Sequence, residues 1–346
     1  MKRINGKTGI GPAITLMVLA PLIAEVLSGA TRFGALFVFP IEVCVWGGGA
    51  LLIRYAVRKG RLGWPAMLLL ALSLSIAEEC LIQQTSLAPL VIRIKGVTYG
   101  RALGINYLYF LWALIYESVF VVLVPVALTE LIFRRRKTEL WVGRKGLILV
   151  VGLFLLGSYL AWYSWTQIAR TRVFHVPLYT PPFLFVALAV ILIGCLVFAA
   201  MGPFRNRLTR QPLPVSPPPA WLLGVAGGLW TILLYGVVLL AFGIAPSFPP
   251  LVAFISGCLL AGVALFLMSR WVVSADWQDK KLFSVIFGML IGLMLTGFFD
   301  LIAAGPSPDL YFRILVVAVA VALLLRFSIR LKHRVPSLIR GPGGPG

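Results

Sequence analysis

Two adjacent glutamates, Glu78 and Glu79, interrupt an apolar stretch, Trp64 to Gln84, that is long enough to cross a lipid bilayer. A charged carboxylate at membrane depth costs roughly 2.5–3.5 kcal/mol, so the two side chains need partners, protons or a water-filled cavity. A carboxyl group that exchanges a proton can bind a cation, relay protons or act as a general base. Ionisable residues inside a membrane mark functional sites by default, and the chemistry of this chain is therefore expected here.

Helical spacing separates the two members of the pair. Ser75, Glu79 and Gln83 are four residues apart, so a helix places them on one face as a polar stripe. Glu78 instead has apolar neighbours such as Leu74. We expect Glu79 to face a polar interior and to line a cavity. We expect Glu78 to be protonated or paired across a helix contact, because an unpaired charge is costly there.

Other apolar stretches carry acidic residues as well, mostly in what we predict to be the outer half of the membrane. The predicted residues for binding a solute or an ion are Glu25, Glu42, Glu79, Gln83, Glu117 and Asp300. Tyr109 and Tyr116 fall near Glu117 at helical spacing. If the chemistry is catalytic, Glu79 is the expected general base, with Glu78 and Glu117 beside it.

Basic residues at the outer ends of the same stretches are the expected counter-ions, namely Arg32, Arg93 and Arg101. Two of them belong to the long outer loop 85–106, which we predict to pack back towards the glutamates. Buried ion pairs can also serve packing alone, so a purely structural role for the glutamates stays open.

The composition excludes a soluble globular domain. Of the 346 residues, 60% are hydrophobic and only 12% are charged, and long apolar runs alternate with short basic loops. The formal net charge of +20 is spread over these loops, which favours anionic lipid headgroups over nucleic acid as its partner.

The elements that must position the glutamates are predicted to be all α-helical. We expect a polytopic membrane protein with a retained, uncleaved first helix and about ten spans, at 10–30, 36–53, 64–82, 107–132, 147–168, 183–201, 220–243, 249–270, 282–304 and 310–331. Of the 31 lysines and arginines, 24 fall on the side of the two termini. This bias predicts that both termini are cytoplasmic.

Four units follow from the same pattern. Residues 1–201 form a six-helix part that carries the glutamates, and 202–219 are a basic, proline-rich cytoplasmic linker. Residues 220–331 form a four-helix part. The tail 332–346, basic and then rich in glycine and proline, is expected to be disordered.

The sequence gives no support for a cofactor or a metal ion. Its two histidines, His175 and His333, lie outside every predicted span, so histidine cannot ligate haem or zinc inside the membrane. The four cysteines are isolated in apolar segments. The chain has neither a P-loop nor a G-x-S-x-G elbow.

The first four predicted spans contain the segments EVLSGATR (25–32), GGGALLIRYAVRKGRLGW (47–64), AEE (77–79) and YGRALGINYLYFLW (99–112). These segments resemble an uncharacterised family of prokaryotic multi-pass membrane proteins. The resemblance implies location in a prokaryotic cytoplasmic membrane. In that family a histidine often stands where this chain has Glu117, so an ionisable group is kept with a different chemistry.

Glu78 and Glu79 also match the first two positions of an EExxxR motif. In this respect the chain is similar to the CPBP family of intramembrane proteases, which the match implies as an enzymatic alternative. Gln83 stands at the arginine position in register with Glu79, and Ile82 stands there in register with Glu78. The FxxxH motif of that family has no counterpart here.

Three functions are therefore carried forward. The sequence favours a protein that binds or moves a small solute, ion or proton through a glutamate-lined cavity. The alternatives are a membrane-embedded enzyme acting on peptide or lipid, and a structural subunit or assembly factor that contacts another membrane protein.

Overall fold

The computed structural model describes residues 9–91, 100–202, 213–240 and 248–332. Within these ranges the chain is helical, with no strand beyond an isolated bridge between Ala102 and Ile105. The helices are α1 (Gly11–Leu27), α2 (Phe33–Gly60), α3 (Trp64–Ile82), α4 (Tyr107–Ile132), α5 (Arg144–Val173), α6 (Phe183–Met201), α7 (Ala220–Val237), α8 (Pro250–Trp271), α9 (Asp279–Thr296), α10 (Phe299–Ala304) and α11 (Pro308–Lys332).

The predicted all-α class is confirmed. In the described part of the chain, eight helices are long and apolar enough to cross a membrane, namely α2 to α8 and α11. Large apolar side chains such as Phe183, Leu251 and Leu323 stay exposed on them, as expected of surfaces that face lipid. These features are those of a multi-pass membrane protein. Helix α1 is shorter but also apolar, and α9 covers most of the predicted ninth span.

The predicted ninth span, 282–304, is not one continuous helix. Helix α9 ends at Thr296, and α10 begins at Phe299. Arg313 of α11 donates a hydrogen bond of 2.9 Å to the Met294 carbonyl, which is one of the carbonyls freed at the end of α9. Its guanidinium lies so close to Gly297 that a side chain there would overlap it. The break thus lies where Arg313 approaches the backbone.

The first four helices form the centre of the molecule. Helix α1 packs against α2 and α4, and α3 packs against α4 and α6. Leu16, Trp46, Leu70 and Phe120, one from each of these four helices, are buried in the same hydrophobic core. The helices that carry the glutamates, α1 to α4, therefore pack together around one core.

The two groups of helices predicted on either side of the linker share this core. Leu290 and Leu293 of α9 belong to it, and α9 packs against both α1 and α4. The linker residues 213–219 form no helix, and 203–212 lie outside the described residues, as does the tail from 333 onwards.

Glycines make the contact between α7 and α9 unusually close. A Cβ atom on Gly292 would lie 2.7 Å from the Gly228 carbonyl oxygen, and one on Gly288 would overlap the Gly224 carbonyl oxygen. Small residues at such spacings let helix backbones touch inside a membrane. The spacings Gly224/Gly228 and Gly288/Gly292, visible in the sequence, are thus the two halves of one interface.

Candidate functional site: a cluster of five glutamates

Five glutamates from the first four helices lie at or beside π-helical segments. Glu25 lies within the segment Leu22–Leu27 of α1, and Glu42 immediately precedes Val43–Gly47 of α2. The other three open such segments, Glu78 and Glu79 in Glu78–Ile82 of α3 and Glu117 in Glu117–Leu123 of α4. A π-helical turn widens the helix, leaves backbone groups less regularly paired and occurs often at functional sites. These five residues are called the glutamate cluster below.

Glu79 and Glu117 form a carboxyl pair. Their side chains lie within hydrogen-bonding reach of each other, and the Ser86 hydroxyl donates to Glu79 Oε2 at 2.6 Å. The Ser75 hydroxyl lies within hydrogen-bonding reach of Glu117 and of the Ala113 carbonyl oxygen. A hydrogen bond between two carboxyl groups requires a proton on one of them, because a carboxylate only accepts. The two carboxyl groups are therefore placed to share a proton.

Glu25 and Glu42 form a second group around Thr31. The Thr31 hydroxyl donates to Glu42 Oε1 at 2.6 Å and is also within hydrogen-bonding reach of Glu25. The Thr31 backbone N–H donates to the Glu25 carbonyl at 3.0 Å, which fixes the end of α1 against the start of α2. The two carboxyl groups interact electrostatically. One hydroxyl thus joins two acids from neighbouring helices.

Glu78 interacts with acids of both groups but has no hydrogen bond to the side chain of any described residue. Its side chain is 2% exposed, and neither carboxyl oxygen has a partner among the described residues. It interacts electrostatically with Glu79 and Glu25, and Glu117 interacts with it in turn. A small cavity adjoins it, with walls formed by Val45, Trp46, Leu74, Glu78, Glu117 and Val121. We had expected Glu79 to line the cavity, whereas the structure places Glu78 and Glu117 there.

Tyrosines complete the surroundings of the cluster. Tyr109 of α4 interacts electrostatically with Glu25, Glu78, Glu79 and Glu117. It was seen in the sequence only as a neighbour of Glu117 along one helix. Its spacing from Glu117 was the available signal, but its proximity to acids of two other helices depends on packing that a sequence does not show.

A pair of tyrosines, Tyr116 and Tyr235, connects the cluster to the helices that follow the linker. The Tyr116 hydroxyl donates to the Ala24 carbonyl, and Tyr116 is hydrogen-bonded to Tyr235 of α7. Trp112 stacks on Tyr116 with ring centroids 4.7 Å apart. Both tyrosines interact electrostatically with Glu25 and with Arg313.

The predicted counter-ions do not neutralise the cluster in the described structure. Arg32 is exposed, and Arg101 donates to Asn106 Oδ1 at 2.6 Å and to the Leu87 carbonyl at 2.8 Å. Arg93 lies outside the described residues. Among the described residues, every ion pair involves acids other than the five glutamates.

Two predicted binding residues are placed differently from the cluster. Gln83 immediately follows α3, and within the described residues its side chain makes no hydrogen bond to a glutamate. Asp300 belongs to α10, and its side chain lies outside the described part of the structure. The described section of the predicted outer loop does fold back, since Ser86 binds Glu79 and Asn106 Nδ2 donates to the Thr85 carbonyl at 2.8 Å.

Glu130, which lies elsewhere on α4, forms salt bridges with two arginines. Arg54 of α2 is 1% exposed and donates to Glu130 at 3.0 Å, and Arg58 contacts the same carboxylate at 2.5 Å. The Arg54 guanidinium also lies 3.1 Å from the ring centroid of Trp141. Every charge in this group has a partner, which is the arrangement expected of a structural anchor.

Within the described residues, no three histidine, cysteine or acidic side chains are arranged to hold a metal ion.

Comparison of the chain with protein-family models, curated proteins and solved structures finds no match. The function must therefore be argued from the site alone.

Proposed function

We propose that this membrane protein binds or moves a small solute, ion or proton through the glutamate cluster. The observation that carries the proposal is that five acids meet at the centre of the protein with no arginine or lysine paired to them in the described structure. Because unneutralised acids in a membrane are costly, a site built from five of them requires a positive ligand. The acidic character thus narrows the ligand to a cation, the proton included.

The contrast with Glu130 supports a functional rather than a structural role. Where this chain uses a buried acid for packing, it supplies Arg54 and Arg58 as partners. Among the described residues, the polar partners of the glutamate cluster are hydroxyl groups, one backbone amide and other carboxyl groups, with no ion pair. A scaffold would not need carboxyl groups where amides of the same shape would bind without the cost of ionisation.

The same proposal includes the setting of the protein. We place it in the cytoplasmic membrane of a prokaryote, with ten spans and both termini inside, as the resemblance and the charge bias predicted. Anionic headgroups are the proposed lipid partners. A pocket of about 350 Å³ lined by Arg58, Arg61 and Thr138 offers them a basic contact near one membrane surface.

The test is ion movement in proteoliposomes. Purified protein is reconstituted, and the movement of protons, sodium, rubidium and methylammonium is followed for the wild type, Glu117→Gln and Glu139→Gln. Glu139 is the matched control, because it is a partly exposed acid paired with Arg136 outside the cluster. Circular dichroism and size-exclusion profiles report whether each variant folds.

We expect one of the four cations to move with the wild type and with Glu139→Gln, and to fall to the level of protein-free liposomes with Glu117→Gln. The amide keeps the hydrogen-bonding shape of the acid, so the variant should remain folded. Absence of movement for all four cations with folded wild type, or a Glu117→Gln protein that moves them normally, would contradict the proposal. A Glu117→Gln protein that fails to fold would assign the cluster to the scaffold.

A further inference from the structure

The size of the cavity beside Glu78 restricts what the cluster can hold there. The cavity leaves about 10 Å³ open to the centre of a water molecule. A single water needs about 10–15 Å³ by this measure, so one water fills the space. A methylammonium ion is larger than one water and does not fit. The space at this point of the cluster thus suits a proton, with one water to carry it.

Glu78 is the group aimed at this space. It is 2% exposed, and both of its oxygens lack a hydrogen-bond partner among the described residues. Unpartnered buried carboxyl oxygens are costly, and a single bridging water can relieve part of that cost. Glu117, which lines the same cavity, lies within hydrogen-bonding reach of Glu79. A water in the cavity can thus contact an acid from each of two helices.

We propose that the ligand of the glutamate cluster is the proton, and that one water in the cavity passes it between Glu78 and the Glu79–Glu117 pair. The proposal rests on the proposed function and narrows it. Protonated Glu78 gives its proton to the water oxygen, and the water gives one of its own hydrogens to the Glu117 carboxylate. One O–H bond forms for each that breaks, the water is regenerated, and the pair changes from one proton to two.

The surroundings of Glu78 suit such a transfer. From α1 it faces Glu25, from its own helix Glu79, and from α4 Glu117 and the Tyr109 hydroxyl. Glu42 of α2 interacts with Glu25 and extends the chain of acids. In the described structure the buried Arg313 interacts with Tyr116 and Tyr235, and no arginine or lysine forms an ion pair with Glu78. Protons on these acids can therefore redistribute without a fixed positive charge holding any carboxylate in the ionised form.

Glu25, Glu117 and Tyr109 are half-buried, whereas Glu78 is enclosed. In this relay Glu78 is the step between the group of Glu25 and Glu42 and the Glu79–Glu117 pair.

The experiment follows proton entry into liposomes containing pyranine, driven by a potassium diffusion potential with valinomycin. Wild type, Glu78→Gln, Glu78→Asp and Glu139→Gln are compared, and the wild type is measured in H₂O and D₂O. We expect Glu78→Gln to lower proton flux about tenfold or more, since the amide cannot pass a proton on. Glu78→Asp keeps a carboxyl group beside the water and should retain more flux than Glu78→Gln, and flux should be slower in D₂O.

The outcomes separate this inference from the proposed function. Wild-type protein that moves sodium, rubidium or methylammonium, but not protons, would overturn the proton as the ligand and leave the functional cluster standing. Folded Glu78→Gln protein with wild-type proton flux would overturn the relay through Glu78. If the wild type moves none of the four cations, both proposals fail.

Discussion

Replacing Glu78 by methionine should stabilise the protein while abolishing its proton flux. Methionine is unbranched, close to glutamate in length and adaptable in packing. It would follow the same path between Val45, Trp46, Leu74 and Val121, which are all apolar walls of the cavity. The variant removes two carboxyl oxygens that have no partner among the described residues. A gain in stability together with a loss of function is characteristic of a residue kept for activity.

The size of the expected stabilisation follows from the unpaired carboxyl group of Glu78. A buried polar group without a partner costs about 1–3 kcal/mol, and one bridging water relieves part of this. We therefore expect Glu78→Met to raise the free energy of unfolding by about 1 kcal/mol. The neighbouring Glu79→Met should act in the opposite direction. It leaves the Ser86 hydroxyl and the Glu117 carboxyl without their partner, which costs roughly 2–6 kcal/mol for the two groups together.

The assay is unfolding in mixed micelles with a rising fraction of sodium dodecyl sulfate, followed by circular dichroism. Wild type, Glu78→Met and Glu79→Met are measured side by side, so that two adjacent substitutions to the same residue serve as mutual controls. Destabilisation by Glu78→Met of about 1 kcal/mol or more would show that Glu78 has a partner, and would refute the reasoning about the cavity.

Three further predictions address the frame around the cluster. Gly288→Ala should push α9 away from α7 and destabilise by about 1–3 kcal/mol, whereas Gly262→Ala, with open space around it, should stabilise by up to about 1 kcal/mol in the same unfolding assay. Arg313→Met should leave one carbonyl of α1 and one of α9 unpaired and cost about 2–6 kcal/mol, and a normally stable variant would show that this link is dispensable. A cysteine at Lys137 should react with an impermeant maleimide only from the cytoplasmic side and one at His175 only from outside; the reverse pattern would invert the orientation.

The sequence predicts the helices well because membrane spans are local features. Twenty apolar residues between basic loops specify a helix without reference to the rest of the chain, and the positions of α1 to α8 follow from this alone. The identity of four helices carrying buried acids was readable in the same way, since each glutamate stands out against an apolar background.

The contacts among those acids could not be predicted, because they depend on rotation and on non-local packing. A regular helix from Trp64 would set the faces of Glu78 and Glu79 by spacing, but the π-helical turn at Glu78–Ile82 changes the rotation at that point. Spacing placed Ser75 and Gln83 on the face of Glu79, whereas the structure places Ser86 and Glu117 beside it and sets Glu78 at the cavity. Gln83 follows the same turn, and only the regular helical spacing led to its prediction as a binding residue.

The arginines show the same limit. Their sequence positions suggested that Arg32 and Arg101 would neutralise the glutamates, yet Arg101 binds carbonyl groups and Asn106 at the start of α4. Arg313 lies far along the chain from α1, but its guanidinium donates to the Val26 carbonyl at 2.7 Å. A long side chain can choose among several acceptors within reach, and only the packed structure decides which one it meets.

Infrared spectroscopy of carboxyl groups tests the central claim, that the glutamate cluster holds protons, most directly. The carbonyl stretch of a protonated carboxyl group is separate from that of a carboxylate, and ¹³C-labelled glutamate identifies which bands belong to glutamate. We expect the wild type at neutral pH to show protonated glutamate, part of which is lost in Glu78→Gln and part in Glu117→Gln, with Glu139→Gln unchanged. Wild-type protein whose glutamates are all ionised at neutral pH would contradict the shared proton between Glu79 and Glu117, and with it the proposed site.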